Sequence, residues 1–153
     1  MPVDVNKTIA AARAQKGTPY SWGGGHGSKP GKSLGTCKWY SGPHPCKADK
    51  TVGFDCSGLV RYAVYVGTGN TVDLGKGGNT TSQYNDSRVQ HITAANRRAG
   101  DLIFYESPSN IYHVALFIGT VNGKEMMIEA QKTNVPVHEV PLRLTKGIWA
   151  RVK

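Results

Sequence analysis

Absences bound this sequence first. It holds no apolar run long enough to cross a bilayer, so no membrane-spanning helix is expected within it. Its start, Met1-Pro2-Val3-Asp4, has no basic stretch leading into an apolar one, so no secretory signal peptide is expected there. That leaves a cytoplasmic protein, a mature fragment or domain of a longer chain, or export by another route. Acidic residues are scarce: 10 Asp and Glu stand against 19 Lys and Arg, a net charge of +9. Such a surface favours anionic partners, among them nucleic acid, anionic lipid and the acidic polymers of a bacterial wall. The basic residues are scattered and carry no RNA-binding signature, so nucleic acid is not the expected partner. No internal repeat is visible.

What is present suits one globular domain over residues 1–153, since 39% of 153 residues are hydrophobic and apolar segments recur along the chain. The 19 glycines and 8 prolines imply many turns. Val5 to Lys16 reads as a helix with Val5, Ile9, Ala12 and Lys16 near one face, Asp4 as cap and Gly17 as stop. Gly53-Phe54-Asp55-Cys56-Ser57-Gly58-Leu59-Val60 reads as a short loop followed at once by a helix running to Val66 and stopped by Gly67 and Gly69. Residues 67–78 read as a loop, Thr80 to Asn85 as a helical turn and Ala94 to Gly100 as a turn. Strands follow over 101–105, 112–118, 125–130, 135–140 and 148–152, with a hairpin signal at Asn122-Gly123. Helices first and an antiparallel meander after define an α+β class.

Two stretches fit this scheme less simply. Thr18-Pro19-Tyr20-Ser21-Trp22 would set Tyr20 and Trp22 on one side of an extended piece, as a structural loop or as a wall of a cleft. Residues 25–52 are almost all polar, Gly, Pro and Lys around Trp39 and Tyr40. A loop of that length is either functional or pinned by a crosslink.

The three cysteines sit in two settings. Cys37 and Cys46 lie in that Gly/Pro-rich segment, whereas Cys56 opens a helix, where free N–H groups favour an anion and lower a thiol's pKa. The simplest partition is a Cys37–Cys46 disulfide, implying an oxidising destination, with Cys56 free and reactive. A zinc site from Cys37, Cys46, His44 and His26 competes with it, though without the usual paired spacing, and two unlinked thiols are a third arrangement.

Thiol hydrolysis needs a thiolate, an imidazole to share its proton and a group to orient that imidazole. Of five histidines (His26, His44, His91, His113, His138), only His113 begins a clear strand. On the next strand Glu129 is bracketed by Ile128 and Ala130. Equal offsets from the Asn122-Gly123 turn put His113 opposite position 132, so Glu129 needs a bulge or a longer turn to come alongside, and Gln131 is the fallback orienter.

The chain resembles the NlpC/P60 family of cell-wall cysteine peptidases. The likeness rests on five blocks in order: Gly17-Thr18-Pro19-Tyr20-Ser21-Trp22-Gly23-Gly24, Phe54 to Val60, Thr80 to Gln83, Ala99 to Tyr105, and His113-Val114-Ala115-Leu116-Phe117-Ile118-Gly119. It implies a papain-like α+β core, with Cys56 as nucleophile, His113 as general base and Glu129 as the orienting third residue. It further implies substrate contacts from Tyr20, Trp22, Asp55 and Ser57, an oxyanion site at the Cys56 N–H, and no metal or organic cofactor. The implied reaction is hydrolysis of peptidoglycan stem peptides at the γ-D-glutamyl–diamino acid bond through a thioester, with the wall or its muropeptides as partner and a secreted or periplasmic site of action. A carboxylate at Glu129 would favour a thiolate–imidazolium pair.

The long 25–52 insertion departs from the family's usual spacing and could act as lid, specificity loop or docking surface. The missing signal peptide suits a wall-remodelling fragment or an antibacterial effector with an immunity protein or inhibitor as partner. The alternatives are a thiol acyltransferase or deamidase, and an inactive wall-binding module.

Overall fold

Asp4 sets the first helix: its carboxylate accepts from the Lys7 N–H at 3.1 Å, and α1 runs over Val5–Arg13. It ends earlier than the expected Lys16. Residues 14–17 form turns, and the chain leaves through Gly17 at φ +90°. The computed structural model describes residues 2–75 and 79–153. Of the loop expected over 67–78, residues 76–78 lie outside the described ones.

The insertion is more ordered than its composition suggests. Ser33–Leu34 (β1) pairs antiparallel with Val52–Gly53 (β2), a 3-10 turn spans Ala48–Lys50, and Cys37 is disulfide-bonded to Cys46. The zinc arrangement is therefore absent, because the two sulfurs satisfy each other. His26 and His44 turn to other partners.

Next comes α2, Cys56–Gly67, followed by α3, Thr80–Tyr84. The strands are β3 (Val89–Ile92), β4 (Leu102–Glu106), β5 (Ile111–Val121), β6 (Lys124–Glu129), β7 (His138–Pro141) and β8 (Gly147–Val152). They form one antiparallel sheet in the order β3-β8-β4-β5-β6-β7. The expected meander holds for β4 to β7 only. The last strand returns to the far side of β4, and β3, absent from the strands expected from sequence, covers its outer edge. β3 has just four residues and only Val89 is buried, too little alternation to reveal a strand in isolation.

Pleating separates two apolar faces. Leu102, Phe104, Val114, Leu116, Ile118 and Ile128 meet Leu59, Val60, Ala63 and Val64 of α2 and Ile9 and Ala12 of α1. Ile103, Tyr105, Ala115, Phe117, Met127 and Trp149 form a second cluster on the other face.

A β-bulge between β5 and β6 decides which side chains share a face. The two strands pair as Val121↔Lys124, Thr120↔Glu125 and Gly119↔Met126, then as Phe117↔Met127 and Leu116↔Ile128. Ile118 is the extra residue, and Gly119 beside it adopts φ +84°. One inserted residue exchanges the two faces of a strand relative to its partner. Glu129 thereby moves from the helix-facing side to the side that carries His113.

Candidate active site

Cys56 is the first residue of α2. Asp55, the N-cap, accepts from the Gly58 N–H at 2.7 Å, which satisfies one of the helix's free donors. Pro19 to Ser21 lie beside β2 and Phe54, with a parallel bridge between Tyr20 and Phe54 and a Ser21 N–H bond to the Phe54 carbonyl at 3.0 Å. The Gly24 carbonyl accepts from the Asp55 N–H at 2.9 Å. Gly25, at φ +87°, passes so close that a Cβ there would lie 2.7 Å from the Gly58 Cα. Glycine is required at that crossing. From α3, the buried Gln83 donates to the Ser57 carbonyl at 2.9 Å.

The electrostatics of Cys56 depart from expectation. Burial of the sulfur, and then the neighbouring Asp55 carboxylate, push the thiol up to about 12, although Cys56 keeps partial exposure. The N–H groups of Val114, Ser57 and Cys56 act in the lowering direction, as a helix start should, but they are outweighed. No hydrogen bond joins the thiol to His113 among the described residues. Burial likewise raises Tyr20, more than any neighbouring charge does.

His113 lies on β5 opposite Tyr105, whose ring stacks on it at 5.6 Å. Its Nε2 meets Glu129 Oε1 at 2.7 Å, in a buried contact. Glu129 is 1% exposed and has further partners that the sequence does not reveal. Arg143 donates to both carboxylate oxygens at 3.0 and 2.7 Å, and His138 Nε2 meets Oε2 at 2.8 Å. Burial alone would raise this acid, but the bonds from His113, Arg143 and His138 hold it far below the usual carboxylate range. Arg143 sits beyond β7 with nothing local to mark it. Gln131 lines the open depression of about 760 Å³ beside His113 but makes no bond to the imidazole among the described contacts.

Trp22 faces the insertion. Its Nε1 donates to the Lys38 carbonyl at 3.0 Å, and its ring meets Tyr40 edge-on at 5.7 Å. With Tyr20, Tyr40, His44 and Pro136 it lines a cavity of about 350 Å³. Tyr40 also reaches Thr133 beyond β6, so the insertion is tied to the sheet. At the insertion's start, His26 Nε2 contacts Asp55 Oδ1 at 2.8 Å and Ser57 Oγ at 3.0 Å. From sequence, His26 is a candidate only as a zinc ligand. Among the described residues, no cluster of three His, Cys, Asp or Glu side chains is placed to hold a metal.

A cysteine at the start of a helix packed on an antiparallel sheet, with a carboxylate-bound histidine on the neighbouring strand, is the papain-like α+β arrangement. The chain belongs to the NlpC/P60 family, whose model matches residues 17–151. It is 41% identical over 139 residues to the peptidoglycan endopeptidase RipB of Mycobacterium tuberculosis, covering 91% of this chain and 48% of that protein. The chain thus spans about half the length of that curated relative. The solved structure of the peptidoglycan hydrolase RipB superposes with a TM-score of 0.73 at 37% identity, covering 98% of this chain and 65% of that one. RipD of the same organism, described as a non-catalytic NlpC/p60 domain protein adapted to peptidoglycan binding, matches at 30% identity and a TM-score of 0.71 over 100% of both chains.

Proposed function

We propose that this chain is a cysteine endopeptidase that cuts peptidoglycan stem peptides at the γ-D-glutamyl–diamino acid bond. The observation that carries the reading is the His113 Nε2 contact with the buried, multiply bonded Glu129. It fixes the ring and commits Nε2, leaving Nδ1 to take the thiol proton. Burial and Asp55 hold the Cys56 thiol up, and on this reading proton transfer to His113 accompanies attack.

The sulfur adds to the scissile carbonyl, and the Cys56 N–H faces the developing oxyanion. The adduct collapses as His113 returns its proton to the leaving amine. A thioester remains, and water activated by His113 hydrolyses it. Tyr20, Asp55 and Ser57, with Trp22 beside Tyr20, are the proposed substrate contacts. The Cys37–Cys46 bond suits action in an oxidising compartment, secreted or periplasmic, where the wall lies.

Mass spectrometry of peptidoglycan digested with wild type and with Cys56→Ala tests this. New fragments ending in γ-D-glutamate, absent with the variant, support the reading, and identical fragment patterns overturn it. Wall binding without turnover is a second reading, favoured by the likeness to RipD. It predicts sedimentation with insoluble wall and no new fragments.

A further inference from the structure

His26 lies in the insertion, outside the Cys56–His113–Glu129 machinery, yet it touches both neighbours of the nucleophile. Its Nε2 is 2.8 Å from Asp55 Oδ1 and 3.0 Å from Ser57 Oγ, and its Nδ1 is 3.3 Å from the Gly75 carbonyl. A carbonyl oxygen only accepts, and an ionised carboxylate only accepts. Ser57 Oγ in turn donates to Asp55 Oδ1 at 3.2 Å, so its lone pair is what faces His26. Either neutral tautomer would set a bare ring nitrogen against an oxygen lone pair. Only the doubly protonated ring satisfies every contact.

The charges around the ring agree. Asp55 faces it from the start of α2. Arg61, fully buried on the same helix, donates to the Gly25 and Gly27 carbonyls on either side of His26. Arg61 is itself paired with Asp73 through two bonds of 2.7 and 2.9 Å, which limits its repulsion of the imidazolium. Burial and Arg61 act to lower His26, but its bonds to Asp55 and Gly75 outweigh them and the net shift is upward.

We propose that His26 is a positioning residue for the nucleophile: as an imidazolium it neutralises Asp55 and holds Ser57, so that Cys56 can develop negative charge next to an acid that would otherwise oppose it. This rests on Cys56 as the nucleophile. Asp55 is the side chain that disfavours the thiolate most, and it must stay because it caps the helix. The insertion therefore supplies the compensating cation.

The test is alkylation of Cys56 by iodoacetamide across pH, followed by mass spectrometry on the folded protein. With Cys37 and Cys46 bonded to each other, the label reads Cys56 alone. His26→Gln should slow labelling at neutral pH by about tenfold, the effect of one pKa unit, and move the profile to higher pH. Adding Asp55→Asn, which keeps a good cap, should restore the rate. A His26→Gln profile that matches wild type, or a slowed one that Asp55→Asn leaves unrepaired, overturns the proposal. NMR titration of the wild-type His26 ring needs no variant: a ring doubly protonated at pH 7 is expected, and a neutral one overturns the proposal. Labelling that depends on His26 in a protein that releases no wall fragments would sink the peptidase reading while leaving this one standing.

Discussion

Glu129 reaches His113 only because β5 carries one residue more than β6 between their hairpin and the site. Without Ile118 as the extra residue, the carboxylate would lie on the opposite face of the sheet from the imidazole. The pairing of carboxylate and imidazole is thus a property of strand register, set at Gly119 rather than beside the histidine. Gly119→Val should therefore damage catalysis more than stability. The left-handed backbone there costs an L side chain about 1–2 kcal/mol. A Cβ would also lie 3.1 Å from that of Ala99. Relief of strain by straightening the bulge would turn Glu129 to the other face. The expected result is a folded protein whose turnover falls at least tenfold, measured by muropeptide release beside a thermal melt.

Cys56→Ala and His113→Ala should each remove activity by about a thousandfold or more, as loss of a nucleophile or its base does elsewhere. Both should melt within a few degrees of wild type. Unchanged muropeptide release by either would reject the assignment of that residue.

The pH dependence of stability has two limbs with different origins. Glu129 is held below its unfolded value, so its contribution is complete above about pH 4.3 and is lost as pH falls through the lowered value. His26 is held above its unfolded value, so its contribution is complete below about pH 6.5 and is lost as pH rises through the raised value. Denaturant unfolding at several pH values should show Glu129→Gln flattening the acid limb and His26→Gln the alkaline one. An acid limb that survives in Glu129→Gln would assign it to other carboxylates.

Reducing the Cys37–Cys46 bond should lower stability by about 2.5 kcal/mol from the entropy of a loop this short. For a domain of this size that is a fall of roughly 5–10 °C in the melting temperature. Superimposable melts with and without reductant would show that β1, β2 and the Tyr40 contact hold the insertion unaided.

Much of this arrangement is legible in the residues because it is local. The cap, the cysteine and the apolar run of α2 are contiguous, and the strands from Asp101 onward announce themselves by apolar runs and the Asn122-Gly123 turn. Equal spacing from that turn puts the register off by the width of the bulge, since a bulge appears in sequence only as a glycine that could equally end a strand. Arg143 and His26 escape notice because each reaches its carboxylate from a distant loop. The upward push on Cys56 is hidden because a helix start advertises its N–H groups, whereas desolvation depends on what the rest of the chain packs over the sulfur.

The crossing of Gly24 and Gly25 over the first turn of α2 limits how this protein can diversify. A side chain at Gly25 would meet Gly58 in the first turn of α2, and one at Gly24 would meet Gly53. Under the proposed function, new substrate preferences arise on the rim, in the insertion and in the segment after β6, whose surfaces can vary without moving the sulfur. That rim is already joined by the Tyr40–Thr133 contact. Exchange of residues 27–50 between relatives, with His26 kept, is therefore expected to transfer selectivity while leaving Cys56 in place.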